Sequence, residues 1–316
     1  MEMPDLPRAA AFVPQVVPAW AAPRGSVTSD VEAAFMAGSA LNSLDNLVRA
    51  APSWAGAWRQ RLALQCAASA VGLAGRTESE AQLRDAWHWR AAGTDPGPAG
   101  NLLAAWRRLA GRSPSVDAEA LRSIVGLLGL RWSDAFETLP SCLGELVRSG
   151  RPAPWVAAAL AGEVCRVRPE AELLAWWLAD LAIAARMRWP FGVPLLVTQA
   201  RSFAFRGAGS RERVRSGGEG FDRGICVALA LAATEACRLA HDIAPRAGHL
   251  IAVTPKLRAK GAGEVIQLLL DDDAVPGTLQ TAKLTRWGSR RLFDRLSHLN
   301  AIRELSGRAS FRLYGL

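Results

Sequence analysis

Arg84-Asp85-Ala86-Trp87-His88-Trp89-Arg90 is the densest polar and aromatic cluster upstream of residue 250. On a helix, His88 lies one turn from both Arg84 and Asp85, so acid–base chemistry is one use of this spacing. The other is an interhelical polar network with the tryptophans as core, which the spacing favours. An enzyme site in the helical body would need Asp180, which sits within an apolar stretch, to converge with Arg84, Asp85 and His88. Asp271-Asp272-Asp273 offers three carboxylates. Such a run needs further oxygen ligands to hold one cation, and none is near in sequence. A solvated loop is therefore expected there, with no metal site. His241-Asp242 point apart on a helix, and His249 and His298 have no partner visible in sequence.

Nucleotide and hydrolase signatures are missing: there is no Walker A, GxSxG, HExxH or GxGxxG. Gly261-Ala262-Gly263 follows Lys260 rather than preceding it, so it is not a phosphate loop. No cofactor is expected. The five cysteines (Cys66, Cys142, Cys165, Cys226, Cys237) form no CxxC and no zinc spacing. Cys226 and Cys237 lie three helical turns apart on one face and read as small buried hydrophobes. Free thiols fit a reducing cytoplasm.

Guanidinium chemistry is concentrated at the C-terminal end. From Lys256 to Leu316 there are eleven Lys/Arg against six Asp/Glu, a net of +5 out of +9 for the chain. The apolar pattern predicts a short helix over 263–270, a second over 278–284 and a third over 289–299. Leu292, Phe293, Leu296 and Leu299 of the third would face inward, and Arg290, Arg291, Asp294, Arg295 and His298 outward. A strand over 301–305, a turn at Ser306-Gly307 and a strand over 308–314 follow. This order predicts a winged helix-turn-helix. Counted from Ala282, Leu292 satisfies the aliphatic position of that motif, while Arg286 stands where glycine is usual. Arg290, Arg291, Arg295 and Lys283 would grip phosphates, and Arg308 or Arg312 would reach a groove from the wing.

The elements that must carry these groups are helical. Half the 316 residues are apolar, Val and Ile are sparse and there is a single Tyr, so long β-sheets are excluded. Five prolines in the first 23 residues predict an extended, poorly ordered segment over 1–25. That segment lacks the basic start and apolar run of a signal peptide. Ser29-x-x-Glu32 and Thr77-x-x-Glu80 read as capping boxes that open helices. Further helices are expected over 54–73, 116–128, 134–149 and 169–188, and Asp95-Pro96-Gly97-Pro98 is a turn before another. The glycine- and arginine-rich stretch 205–224 reads as a mobile loop. A long apolar helix over 223–247 is interrupted by Glu235 and is expected in the core, not in a membrane.

Several of these stretches carry a resemblance: Trp54-Ala55-Gly56-Ala57-Trp58-Arg59-Gln60-Arg61-Leu62-Ala63-Leu64, Asp95-Pro96-Gly97-Pro98-Ala99-Gly100, Arg188-Trp189-Pro190 and Pro255-Lys256-Leu257-Arg258-Ala259-Lys260-Gly261-Ala262-Gly263. The chain resembles the uncharacterised alphaproteobacterial family called domain of unknown function 1403. That resemblance brings no activity with it. The tail from Ala301 through Tyr314 also resembles the winged helix that closes many Fic-type proteins. The catalytic Fic motif is absent, so nucleotidyl transfer is not implied.

The expectation is thus a mostly α protein: a segment 1–25, a helical body 26–250 and a winged helix-turn-helix 255–316 carrying a short β-hairpin. A pI near 10.3 suits a polyanionic partner. The expected function is DNA binding, regulatory in kind, with double-stranded DNA as partner and the body for oligomerisation or sensing. The alternatives are an interaction or oligomerisation protein without DNA, and an enzyme with its site in the body. The first is favoured if the body or paired acids cover the third helix.

Overall fold

The computed structural model describes residues 12–90, 93–206, 213–307 and 310–316. Among them the chain forms α1 (Asp30–Ala50), α2 (Ala55–Leu73), α3 (Glu80–His88), α4 (Gly97–Gly111), α5 (Ala118–Leu127) and α6 (Leu139–Arg148). These are followed by α7 (Ala153–Val167), α8 (Glu172–Met187), α9 (Phe221–Val253), α10 (Ala262–Asp271) and α11 (Arg286–His298). Three short strands, β1 (Val275–Pro276), β2 (Arg303–Glu304) and β3 (Leu313–Gly315), complete the C-terminal part. The protein is mostly α with a small antiparallel sheet.

Helix α8 sits at the centre. Every residue from Leu174 to Ala184 is buried, Asp180 included, which matches its unbroken apolar sequence. It packs chiefly on α7, while α1 lies along α9 and α2 along α4. Tryptophans fill this core with indole N–H groups satisfied at two central positions. Trp58 donates to the Ala236 carbonyl at 2.9 Å and Trp177 to the Ala105 carbonyl at 2.9 Å. Burying such rings while pairing their one polar atom is what makes tryptophan usable inside a helical core. Residues 12–25 lie along α1 without regular structure and bury Val17 and Ala21.

Two helices differ from the sequence pattern in instructive ways. Ser29 caps α1 as expected, accepting from the Glu32 N–H. For α3 the capping box is Ser79 with Gln82, two residues past Thr77-x-x-Glu80. Both tetrads fit the motif, and the one nearer the first buried apolar residue, Leu83, is used. The long helix α9 runs on to Val253 with Pro245 inside it. It is long and apolar enough to cross a membrane by composition, and 67% of its apolar window is buried within the fold. Of the glycine- and arginine-rich stretch, 207–212 lie outside the described residues. The rest is tied down: Val214 N–H donates to the Phe205 carbonyl at 2.8 Å.

The C-terminal sheet has the order β1-β3-β2, antiparallel throughout. Val275 pairs with Tyr314, and Arg303 with Gly315. Helix α10 precedes β1, and α11 lies between β1 and β2. The segment expected as a second helix, 278–284, is instead a turn. Thr281 and Leu284 exchange backbone hydrogen bonds across it, at 3.0 and 3.2 Å. Pro276 and Gly277 precede it and Thr278 and Thr281 lie within it, all poor helix formers, and it is too short to overcome nucleation. Arg286 therefore does not sit in an interhelical turn. It is the first residue of α11, whose N-cap is Thr285.

Candidate nucleic-acid interface

Helix α11 is built as its periodicity predicts. Leu292, Phe293 and Leu296 are buried, and Phe293 stacks on Tyr314 of β3 with ring centroids 4.8 Å apart. Thr285 accepts from the Gly288 N–H at 3.2 Å and fixes the first turn. With one face anchored, the other is presented. Arg286, Trp287, Arg290, Arg291, Asp294, Arg295 and His298 are outward and exposed. Helical spacing arranges the arginines as two rows, Arg286–Arg290 and Arg291–Arg295, on either side of Trp287, Asp294 and His298.

Among the described residues no acid forms an ion pair with Arg286, Arg290, Arg291 or Arg295. The other expected contacts are placed differently. Lys283 is exposed but pairs with Glu264 at 3.2 Å, and a hydrogen bond from Thr281, followed by that pair, holds the carboxyl below its ordinary range. Arg312 is exposed and faces Glu304 at 3.5 Å. Arg308 lies outside the described residues. Arg291 and Arg295 share a groove of about 450 Å³ with Lys256 and Arg258, and no carboxylate of the described residues lines it. Lys256 and Arg258 were within the basic stretch legible in sequence, yet nothing there showed that they join α11.

The Arg84 cluster takes no part in this surface. Asp273 is 3% exposed and receives Arg61 of α2 and Arg84 of α3, the latter at 2.6 Å. Arg107 of α4 grips Asp272 in a bidentate pair at 2.8 and 2.8 Å. Arg303 also reaches the Leu316 backbone oxygen, at 3.4 Å. The aspartate run is thus not a solvated loop. It is the point where three helices clasp the end of α10, and opposite charges so withdrawn from water must be paired. Two glycines let the backbones meet. A Cβ on Gly56 would stand 2.6 Å from the Asp271 Cα, and one on Gly315 would stand 2.5 Å from the Asp273 carbonyl oxygen.

His88 borders this clasp. Burial pushes its pKa down to about 4, against the pull of Asp272. Asp180 is held elsewhere, accepting the Leu195 and Leu196 N–H groups at 2.9 and 3.0 Å. Burial raises its pKa to about 7 despite those two donors. Arg84 and Asp180 are therefore each committed to separate structural partners. The cysteines are all free, and burial pushes Cys226 and Cys237 up to about 12, which leaves them protonated.

Comparison with known families identifies the class of the whole chain. A model described as "Protein of unknown function (DUF1403)" matches residues 8–316, so the chain belongs to that family. No curated protein matches it.

Proposed function

We propose that the protein binds double-stranded DNA through α11, as a regulatory protein of winged-helix type. The observation that carries this reading is the exposed arginine face of α11, without acid partners among the described residues and anchored from behind by Leu292, Phe293 and Leu296. Sites for nucleic acid need cations that are not already committed to neighbouring acids, because neutralising phosphates releases condensed counterions. Arg290, Arg291 and Arg295 meet that condition, and Lys256 and Arg258 extend it beside them. Lys283 and Arg312 would have to exchange Glu264 and Glu304 for phosphate, so their contributions are smaller. With a turn in place of the second helix, one usual phosphate contact is removed and the α11 face is left as the main determinant.

Fluorescence anisotropy with a labelled duplex over a salt series tests this. Arg291→Ala/Arg295→Ala should weaken binding about tenfold or more and lower the salt slope by roughly 0.9 for each phosphate that is no longer neutralised. Duplex affinity equal to that of the parent protein rejects the reading.

A second reading, an interaction or oligomerisation surface, draws support from a separate patch. Trp20 and Phe35 meet in a tilted contact with ring centroids 5.6 Å apart while remaining 62% and 62% exposed, with Val31 beside Phe35 on α1. Sedimentation of Phe35→Asp against the parent protein separates the two readings.

A further inference from the structure

The two flanks of α11 are not alike. The Arg291–Arg295 side is a basic groove with aliphatic residues between its four cations and neither an aromatic ring nor a carboxylate in its lining, suited to a sugar–phosphate backbone. The Arg286–Arg290 side opens into a cavity of about 420 Å³ between α11 and β3, lined by aromatic rings as well as arginines. That volume lies in the range of small-ligand sites, roughly 300–1,000 Å³. Its inner wall is the Phe293–Tyr314 stack. At its mouth stand Trp287, 72% exposed, and Phe311, 58% exposed. Arg286 and Arg290 border it, and Asp294 contributes a carboxylate to the lining.

Exposing two large rings to water is unfavourable, and Phe311 carries an additional cost. Its φ is +58°, in the left-handed region that a residue with a Cβ enters only against steric resistance. Trp89 packs on it edge-on, with centroids 5.4 Å apart. Strained backbone held in place by neighbours is a recurrent feature of ligand sites.

We infer that this cavity receives a single unstacked nucleobase, with the adjoining phosphate on Arg286 and Arg290. A base offers a flat uncharged ring that stacks on the Trp287 indole and meets Phe311. Its phosphate would give the two guanidiniums the ion pair that neither forms among the described residues. Asp294 provides an acceptor for a ring N–H or an exocyclic amine of the base. The inference rests on the DNA-binding reading above and specifies the target: duplex DNA with an unpaired base next to it, at an end or junction.

Three labelled probes test it on the full chain: a blunt duplex, the same duplex with a short thymidine 3′ overhang, and that overhang with abasic sites in place of the bases. Stacking one base should make the overhang duplex bind about tenfold tighter than the blunt one. The abasic overhang should bind like the blunt duplex. Trp287→Ala should erase the difference between overhang and blunt duplexes, and Phe311→Ala, checked for folding by circular dichroism, should act in the same direction. Equal affinity for blunt and overhang duplexes overturns the inference and leaves the DNA reading standing. An abasic overhang as tight as the thymidine one overturns it too, because the gain is then electrostatic. No binding to any probe overturns both, and loss of blunt-duplex binding in Arg291→Ala/Arg295→Ala bears on the DNA reading alone.

Discussion

Two sets of arginines behave in opposite ways within one molecule. Arg61, Arg84 and Arg107 come from three helices, are largely withdrawn from solvent, and converge on Asp272 and Asp273. Arg286, Arg290, Arg291 and Arg295 come from one helix, face outward and have no acid partner among the described residues. The first set is paired internally on two carboxylates and ties the C-terminal elements to the body. The second leaves its charge at the surface without acid partners among the described residues. A high pI alone does not distinguish these cases. Where the carboxylates lie does.

The sharpest way to break this contrast is to remove the shared acid of the buried set. Asp273→Ala strands two buried guanidiniums and should cost about 3–5 kcal/mol, read as a lower denaturant midpoint. A loss below about 1 kcal/mol would mean the clasp is ornamental. Gly56→Val attacks the same joint by crowding. It should cost about 1–3 kcal/mol, because side-chain atoms would meet the α10 backbone rather than a flexible tip. Stability equal to the parent's would show that α2 and α10 do not meet as closely as described.

A smaller effect separates the clasp from its surroundings by pH. His88 has its folded pKa depressed to about 4, below an unfolded value of about 6.5. The unfolded chain thus binds more protons in that window, so His88 costs stability as pH falls from about 6.5 to about 4. His88→Gln should flatten that part of the stability curve. Asp180 has the opposite sign. Its folded pKa of about 7 exceeds an unfolded value of about 3.9, so its contribution is lost as pH rises through that interval. Unchanged acid dependence in His88→Gln would remove His88 from the account. The smallest effect belongs to the exposed set. Arg290→Ala/Arg291→Ala should shift stability by no more than about 0.5 kcal/mol, since surface changes away from packed features do little. A larger loss would mean those arginines are structural after all.

Arg290, Arg291 and Arg295 of the exposed set were legible in sequence because they depend on one periodicity, whereas Arg286, expected in a turn, was not. Once Leu292, Phe293 and Leu296 define the inner stripe, the outward arginines follow. The family, too, was legible in local stretches such as Trp54-Ala55-Gly56 and Pro255-Lys256-Leu257. The clasp was not. Asp273 finds its partners 212 and 189 residues away, and an acidic triplet with no local cation looks like a solvated loop. The second helix failed for a local reason. Threonines and a flanking Pro-Gly weaken the helix, and the Thr281–Leu284 turn takes the backbone bonds that helix would have used. Trp287 and Phe311 were visible as letters, but only the packing of β3 against α11 brings them to one opening.

The approach at Gly56 has a mechanical consequence. Helices that touch backbone to backbone leave no room for a side chain between them, so α10 is seated closely on α2. The arginine face is thus carried by elements that sit directly on the helical body. On the DNA-binding reading proposed above, misfit between that face and a duplex would be taken up by the nucleic acid, so that sequences that bend or unstack easily would be held in preference to stiff ones.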